Sequence, residues 1–376
     1  MAGDIGSLIF GLLVFLSSLI SLRLGLSVAI IEMAFGAAAG NLGLKPEPWM
    51  QYMAGFGGIV LTFLAGTEID TRLMRRNLAP SFMIGISSFL VPFLAAFAFT
   101  RFVVHWSLPA SLIAGVALST TSVAVVYSVL VESGLSSTVL GKLLMAFTFV
   151  TNMCTVLVLS VLFTRPNLPS LIYVAGSLAV ILLAVRFSNM VFRNPGLKDK
   201  VVEPEIKYVF LLLLLFMYFA KVGAGLAVLP AFVLGLLMSG HFNATEDLKG
   251  VRNRLRTVAY AVVTPAFFIV GGMHISLPLI WAGIGLFVIL FFLKIGSKFA
   301  GVWFLARKFL PKKSMYTTLL MSTGLTFGTI SALYGLSHGI VSPGQYSLLV
   351  AVVIGSAIVP TMIANFMFLP KHLLKL

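Results

Sequence analysis

Long apolar runs separated by short polar stretches fill the chain. Thirteen segments emerge, at 5–22, 24–41, 52–69, 81–104, 109–132, 139–164, 168–188, 206–222, 224–241, 255–275, 277–306, 315–337 and 345–369. Runs of about 18 apolar residues are long enough to span a hydrocarbon core as helices. The pattern predicts an all-α polytopic membrane protein. The first run, 5–22, has no basic stretch before it and no small-residue cleavage site, so it reads as a retained helix rather than a signal peptide.

Composition agrees, with 59% hydrophobic and 10% charged residues among 376. The net charge of +15 gains meaning from its distribution. With the N-terminus outside, 20 basic residues fall on inner loops and four on outer loops. The positive-inside rule then predicts a multi-pass protein of the cell (inner) membrane, N-terminus out and C-terminus cytoplasmic. Contact with anionic membrane lipid follows, and no nucleic acid is needed to explain the charge. Lys294 and Lys298 are left over, inside the eleventh segment.

The segments divide as six, one and six. An odd offset of seven crossings reverses the second six, the arithmetic of an inverted-topology repeat. STTS (Ser119, Thr120, Thr121, Ser122) interrupts the fifth segment and STGLTFGTIS (Ser322–Ser331) the twelfth, while Ser356 in the thirteenth corresponds to Asn152 in the sixth. Small and hydroxyl residues in membrane helices also serve close packing. Matched positions in both halves favour two discontinuous helices, whose freed backbone groups line an ion site.

Ionisable groups at membrane depth are functional candidates. Glu32 lies within the second segment, Glu68 and Asp70 close the third, and Glu132 ends the fifth. Glu68 and Asp70 are expected to pair with Arg72, Arg75 or Arg76. Lys294 and Lys298, four residues apart, share a helix face. His105, His241, His274, His338 and His372 are scattered without metal-ligand spacing, and the single Cys154 has no activating base nearby. Neither an enzyme nor a cofactor is expected.

Several motifs together resemble the monovalent cation:proton antiporters of the Kef and NapA type. They are LTFLAGTEID (Leu61–Asp70), GVALSTTSVAVVYSVLVESGL (Gly115–Leu135), YAVVTPAFFIVGG (Tyr260–Gly272), LKIGSKFAGVWFLAR (Leu293–Arg307), TGLTFGTISALYGL and VVIGSAIVPTMIANF. The resemblance implies an antiporter fold like that of NhaA, with two crossed discontinuous helices and a homodimer. It assigns residues 1–80 and 205–275 to a dimerisation domain, 81–166 and 276–376 to a core domain, and 167–204 to a linker. Many Kef-type relatives continue into a cytoplasmic nucleotide-binding domain. This sequence stops after its last segment, so a regulatory domain or subunit would lie outside it.

In that family the sixth segment carries an acid that binds either the cation or protons. The corresponding residue here is Asn152, preceded by Thr151, and Lys298 matches the basic residue of the eleventh segment. Asparagine keeps a carbonyl oxygen but releases no proton. An introduced Asp-to-Asn change is the preferred account, and divergence toward a channel, sensor or inactive paralogue is the other. The resemblance thus implies exchange of Na+ or K+ for H+, impaired in this sequence, and one candidate acidic position rather than two adjacent ones points to electroneutral exchange. The ion is expected beside Asn152 and Thr151, with oxygens from Ser119, Thr120, Thr121 and Ser122 and from the Gly324–Thr326 region, and with Lys298 and Lys294 as basic partners. A ligand-gated K+ efflux pathway or a non-transporting membrane sensor is the alternative. An organic-anion symporter on the same fold would need a basic or aromatic cluster that the sequence does not offer.

Overall fold

The computed structural model describes residues 2–24, 27–68, 77–136, 138–163, 168–192, 196, 202–222, 227–242 and 246–370. Every regular element among them is helical. In order they are α1 (Ala2–Leu24), α2 (Val28–Asn41), α3 (Pro48–Thr67), α4 (Leu78–Ala98), α5 (Leu108–Ser119), α6 (Val123–Glu132), α7 (Val139–Phe163), α8 (Leu168–Phe192) and α9 (Pro204–Val222). Then come α10 (Val228–Phe242), α11 (Glu246–Val258), α12 (Thr264–Met273), α13 (Leu277–Ala282), α14 (Ile284–Phe309), α15 (Ser314–Met321), α16 (Thr326–Ser337) and α17 (Pro343–Met367).

Among the described residues, nine helical stretches are long and apolar enough to cross a membrane. α1 exposes Leu8, Phe15 and Leu22, and α8 exposes Leu171, Leu178 and Leu182. Water would penalise such surfaces by the apolar area left uncovered, whereas lipid tails do not. The chain is a multi-pass membrane protein.

Several boundaries differ from those drawn by hydropathy. The run drawn as 255–275 is reached by a helix that begins at Glu246, because EDLKGVRNRLRTV is polar yet strongly amphipathic. The same helix widens into a π turn over Ala259–Val263, next to Pro265, whose ring removes one amide donor. The run drawn as 277–306 is split at Gly283 into α13 and α14. α4 also ends in a π turn, Phe99–Val103.

The chain forms two compact units. One comprises Met1–Glu47, Arg72–Thr155 and Phe268–Leu376, the other Pro48–Thr71 and Val156–Phe267. The second unit is built on α3, α8, α9, α10 and α11, around a core that includes Phe63, Leu213, Phe216 and Leu234. Edge-to-face pairs fix its aromatic rings, Phe56 against Phe210 at 5.4 Å and Phe192 against Phe242 at 5.5 Å between centroids. Two ion pairs lie within it. Arg254 Nε meets Glu203 Oε1 at 2.8 Å, and Arg256 pairs with Glu68. Glu68 therefore bonds an arginine far along the chain. Asp70, Arg72, Arg75 and Arg76, the other members of the expected interfacial cluster, lie outside the described residues.

In the first unit, α2 lies directly on the backbone of α12. A Cβ at Gly36 would sit 2.1 Å from the Ile269 carbonyl oxygen, so the approach exists only because position 36 carries no side chain. Asn41 secures the far end of α2, its Nδ2 donating to the Ile275 carbonyl at 2.8 Å and its Oδ1 accepting from Leu277 N at 3.0 Å. Gly36→Ala is expected to destabilise the protein by about 1–3 kcal/mol through overpacking. Gly11→Ala, where nothing lies within 4 Å, should be neutral or mildly stabilising. Thermal melts of the two variants in detergent check this, and equal melting temperatures would contradict the close approach.

Candidate functional site

The hydroxyl cluster of the fifth segment breaks a helix. α5 stops at Ser119 and α6 begins at Val123, with Thr120 (φ −68°, ψ 155°) and Ser122 (φ −85°, ψ 113°) extended between them. The local chemistry explains the stop, since Ser and Thr side chains compete for backbone groups. Ser119 Oγ donates to Val116 O at 2.8 Å and Thr120 Oγ1 to Ala117 O at 3.1 Å. Ser122 Oγ then accepts from Val125 N at 3.3 Å and caps the helix that follows.

The twelfth segment breaks in the same way. α15 ends at Met321 and α16 opens at buried Thr326, with Leu325 at φ −159° and ψ −79° before it. Ser322 Oγ donates to Thr318 O at 2.8 Å and Thr323 Oγ1 to Leu320 O at 2.7 Å. The two breaks meet. Ser122 N donates to Thr323 O at 3.1 Å, and Thr121 Oγ1 donates to Met321 O at 2.8 Å.

Both crossing helices thus end a half-helix in the protein interior, and each such end concentrates partial negative charge on its last carbonyls. Two lysines from one face of α14 answer them. Lys294 Nζ donates to Leu118 O at 2.9 Å and to Thr120 O at 3.4 Å, at the end of α5. Lys298 Nζ donates to Thr121 Oγ1 at 2.9 Å, and that hydroxyl carries the contact on to Met321 O, at the end of α15. Ser88 Oγ of α4 takes a second Lys298 proton at 2.9 Å. Lys294 is 1% exposed and Lys298 is fully buried. Neither has a carboxylate within 4.0 Å among the described residues.

Gly324 makes room for this arrangement. A Cβ there would lie 2.7 Å from Lys294 Nζ and 3.3 Å from Ser356 Oγ. The Ser356 hydroxyl itself donates to Val353 O at 2.7 Å.

α7 brings the last group. Thr151 Oγ1 is held by two carbonyls, Phe147 O at 3.0 Å and Gly85 O at 3.1 Å, which ties α7 to α4. Thr148, one turn before Asn152 on the same helix face, has its Oγ1 3.6 Å from Met321 Sδ, at the second break. Asn152 is fully buried, and neither its Oδ1 nor its Nδ2 has a hydrogen-bond partner. Leaving such a group unpaired costs about 1–3 kcal/mol, so it is not explained by packing.

The structure therefore gathers Thr121, Ser122, Gly324, Lys294 and Lys298 at one crossing. Ser119 and Thr120 are there too, but their hydroxyls turn back onto their own helix, and their neighbourhood contributes backbone carbonyls instead. Sequence reasoning missed Ser88 and the carbonyls of Leu118 and Met321. The Gly85-Ile86-Ser87-Ser88 step in an otherwise apolar α4 was the available signal for Ser88. Glu32 is buried in α2, and Cys154 in α7 is half-buried. His274, just beyond α12, has its imidazole pushed below its usual basicity by burial.

The family described as sodium/hydrogen exchanger, transmembrane, matches residues 11–369. The chain is 24% identical over 355 residues to a probable Na+/H+ antiporter of Methanocaldococcus jannaschii, covering 92% of this chain and 90% of the relative. It is 25% identical over 367 residues to a Na+/H+ antiporter of Enterococcus hirae, covering 93% and 94%. It is 22% identical over 366 residues to the Na+/H+-K+ antiporter GerN of Bacillus cereus, covering 93% and 92%. A solved sodium proton antiporter of Methanocaldococcus jannaschii, at pH 8, has the same fold, with a TM-score of 0.73 and 15% identity over 97% of this chain and 98% of that one.

Thr121→Val removes the hydroxyl that joins Lys298 to Met321 O, leaving both short of a partner. The expected loss is about 1–3 kcal/mol of stability, with Thr121→Ser close to the parent. Denaturation in detergent micelles reads the difference, and a Val variant as stable as the Ser variant would remove Thr121 from the crossing's support.

Proposed function

The chain belongs to the transmembrane sodium/hydrogen exchanger family, and from that premise we propose that it is a secondary transporter exchanging Na+ or K+ for H+ by alternating access of a core domain. The observation that carries the reading to a site is Asn152. It is a fully buried amide with no partner at either polar atom, on the α7 face that meets the second helix break at Met321. Its Oδ1 is an oxygen of the kind that a dehydrated monovalent cation takes as ligand. Further oxygens are expected from Thr121, Ser122, Gly324 and Thr326, whereas the hydroxyls of Thr151, Ser119 and Thr120 are already committed to backbone carbonyls.

Coupling to protons needs a group that gives up a proton to admit a cation. Asparagine has none, so this sequence binds the cation weakly and moves few protons. A carboxylate at 152 would complete the competition. Protonated, it is neutral and releases the cation; ionised, it holds one. A single such position makes the exchange electroneutral, one cation for one proton. GerN, whose name includes both Na+ and K+, supports keeping both ions as substrates.

The remaining parts of the reading follow the same premise. Residues 81–166 and 276–376 form the core that carries the site, residues 1–80 and 205–275 the dimerisation domain of a homodimer, and 167–204 the linker. The chain sits in the cell (inner) membrane with its N-terminus outside and its C-terminus cytoplasmic. A regulatory cytoplasmic domain or subunit would act from that side.

The same Asn152 also favours one competing reading, a K+ efflux pathway or a non-transporting sensor without proton coupling, because nothing at 152 titrates. Proteoliposomes separate the two. The chain as written is expected to show little or no Na+- or K+-driven proton movement, and Asn152→Asp to raise it at least tenfold. The apparent cation affinity of the Asn152→Asp variant should weaken as pH falls through the range in which the introduced carboxyl takes up its proton. K+ flux by the unmodified chain without a pH gradient would favour the efflux reading. Robust cation/proton exchange by the unmodified chain would overturn the role given to position 152.

A further inference from the structure

Lys294 is not absorbed by the reading above, in which Lys298 matches the family's basic residue. It is 1% exposed, in the middle of α14, with no carboxylate within 4.0 Å among the described residues. What surrounds its nitrogen is oxygen from the protein backbone. Leu118 O, in the last turn of α5, and Thr120 O, just past its end, lie at 2.9 and 3.4 Å, where the half-helix is negative. The other side is Gly324, in the second break, where even a methyl group would come within 2.7 Å of the nitrogen and 3.3 Å of Ser356 Oγ.

Buried carbonyl oxygens converging on a positive centre are ligands of the kind that a monovalent cation takes. We propose that Lys294 is a tethered cation, a positioning residue whose ammonium fills a monovalent-cation seat between the two helix breaks and holds them together. The proposal rests on the same crossing as the transport reading but concerns a different residue, and it does not depend on Asn152. Two consequences follow. The transported ion cannot use Leu118 O or Thr120 O while Lys294 is in place, which leaves it the oxygens near Asn152. And deleting the ammonium should not merely loosen the core but create a site that a free cation can fill.

The test is chemical rescue with Asn152 unchanged. Lys294→Met in detergent is melted in methylammonium, potassium, sodium or choline chloride at equal ionic strength. The variant should melt below the parent in choline. It should then gain about 2–4 °C, saturably, in methylammonium or potassium, as expected when a ligand binds only the folded form. The parent should show no such salt-specific gain. Neither should Lys298→Met, because Lys298 Nζ bonds two hydroxyls rather than helix-end carbonyls. Lys294→Gln removes the charge but keeps a donor, and it supplies the same measurement if the Met variant does not fold. Equal melting temperatures in all four salts for whichever variant folds, or an equal gain in Lys298→Met, overturn the proposal. Because no flux is measured, failure here leaves the transport reading standing, and failure of Asn152→Asp to transport leaves this one standing.

Discussion

Two half-helices end inside the first unit, and their last carbonyls must be satisfied where water does not reach. In a hydrocarbon setting each unpaired backbone group costs several kcal/mol, so a broken helix survives only if something answers it. The crossing does this in two ways. One break lends the other its backbone and hydroxyl donors, as Ser122 N to Thr323 O and Thr121 Oγ1 to Met321 O. Lys294 meets the end of α5 directly, and Lys298 reaches the end of α15 through the Thr121 hydroxyl. The rest of the site depends on this solution. The two lysines must come from one helix face, α4 must present Ser88, and position 324 must carry no side chain.

That arrangement also separates structure from chemistry. Most polar groups at the crossing are committed to one another. Thr151 is committed as well, to Gly85 and Phe147. Asn152 stands apart as a buried amide with nothing to bond. A buried group kept at such a penalty is not accounted for by the bonds that hold the crossing together. The same contrast explains why Lys294 and Asn152, both buried and polar, are given different roles.

Much of this was legible in the sequence. Apolar runs located the membrane-spanning helices, since hydrocarbon imposes its length on each one. STTS and STGLTF located both breaks, since clustered hydroxyls and glycine offer the backbone an alternative to the helical ladder. The four-residue spacing of Lys294 and Lys298 put them on one face. Glu68 pairs with Arg256, 188 residues away, a partner that its adjacency to Arg72, Arg75 and Arg76 in the sequence does not suggest. The start of α11 at Glu246 was also hidden, because a polar amphipathic turn carries no hydropathy signal.

By itself, the sequence determined what local physics controls: that the chain is helical and membrane-embedded, where its helices yield, and that position 152 holds an amide rather than an acid. The tertiary structure alone decided who meets whom. No spacing indicates that Lys294 reaches Leu118, that Lys298 reaches Ser88, or that Gly324 is kept bare for an ammonium from another helix. Hydropathy and propensity act through neighbours along the chain, whereas the two lysines bond residues more than 170 positions away. Those contacts exist because broken backbone in a dry interior takes its partners from whichever helices pack beside it.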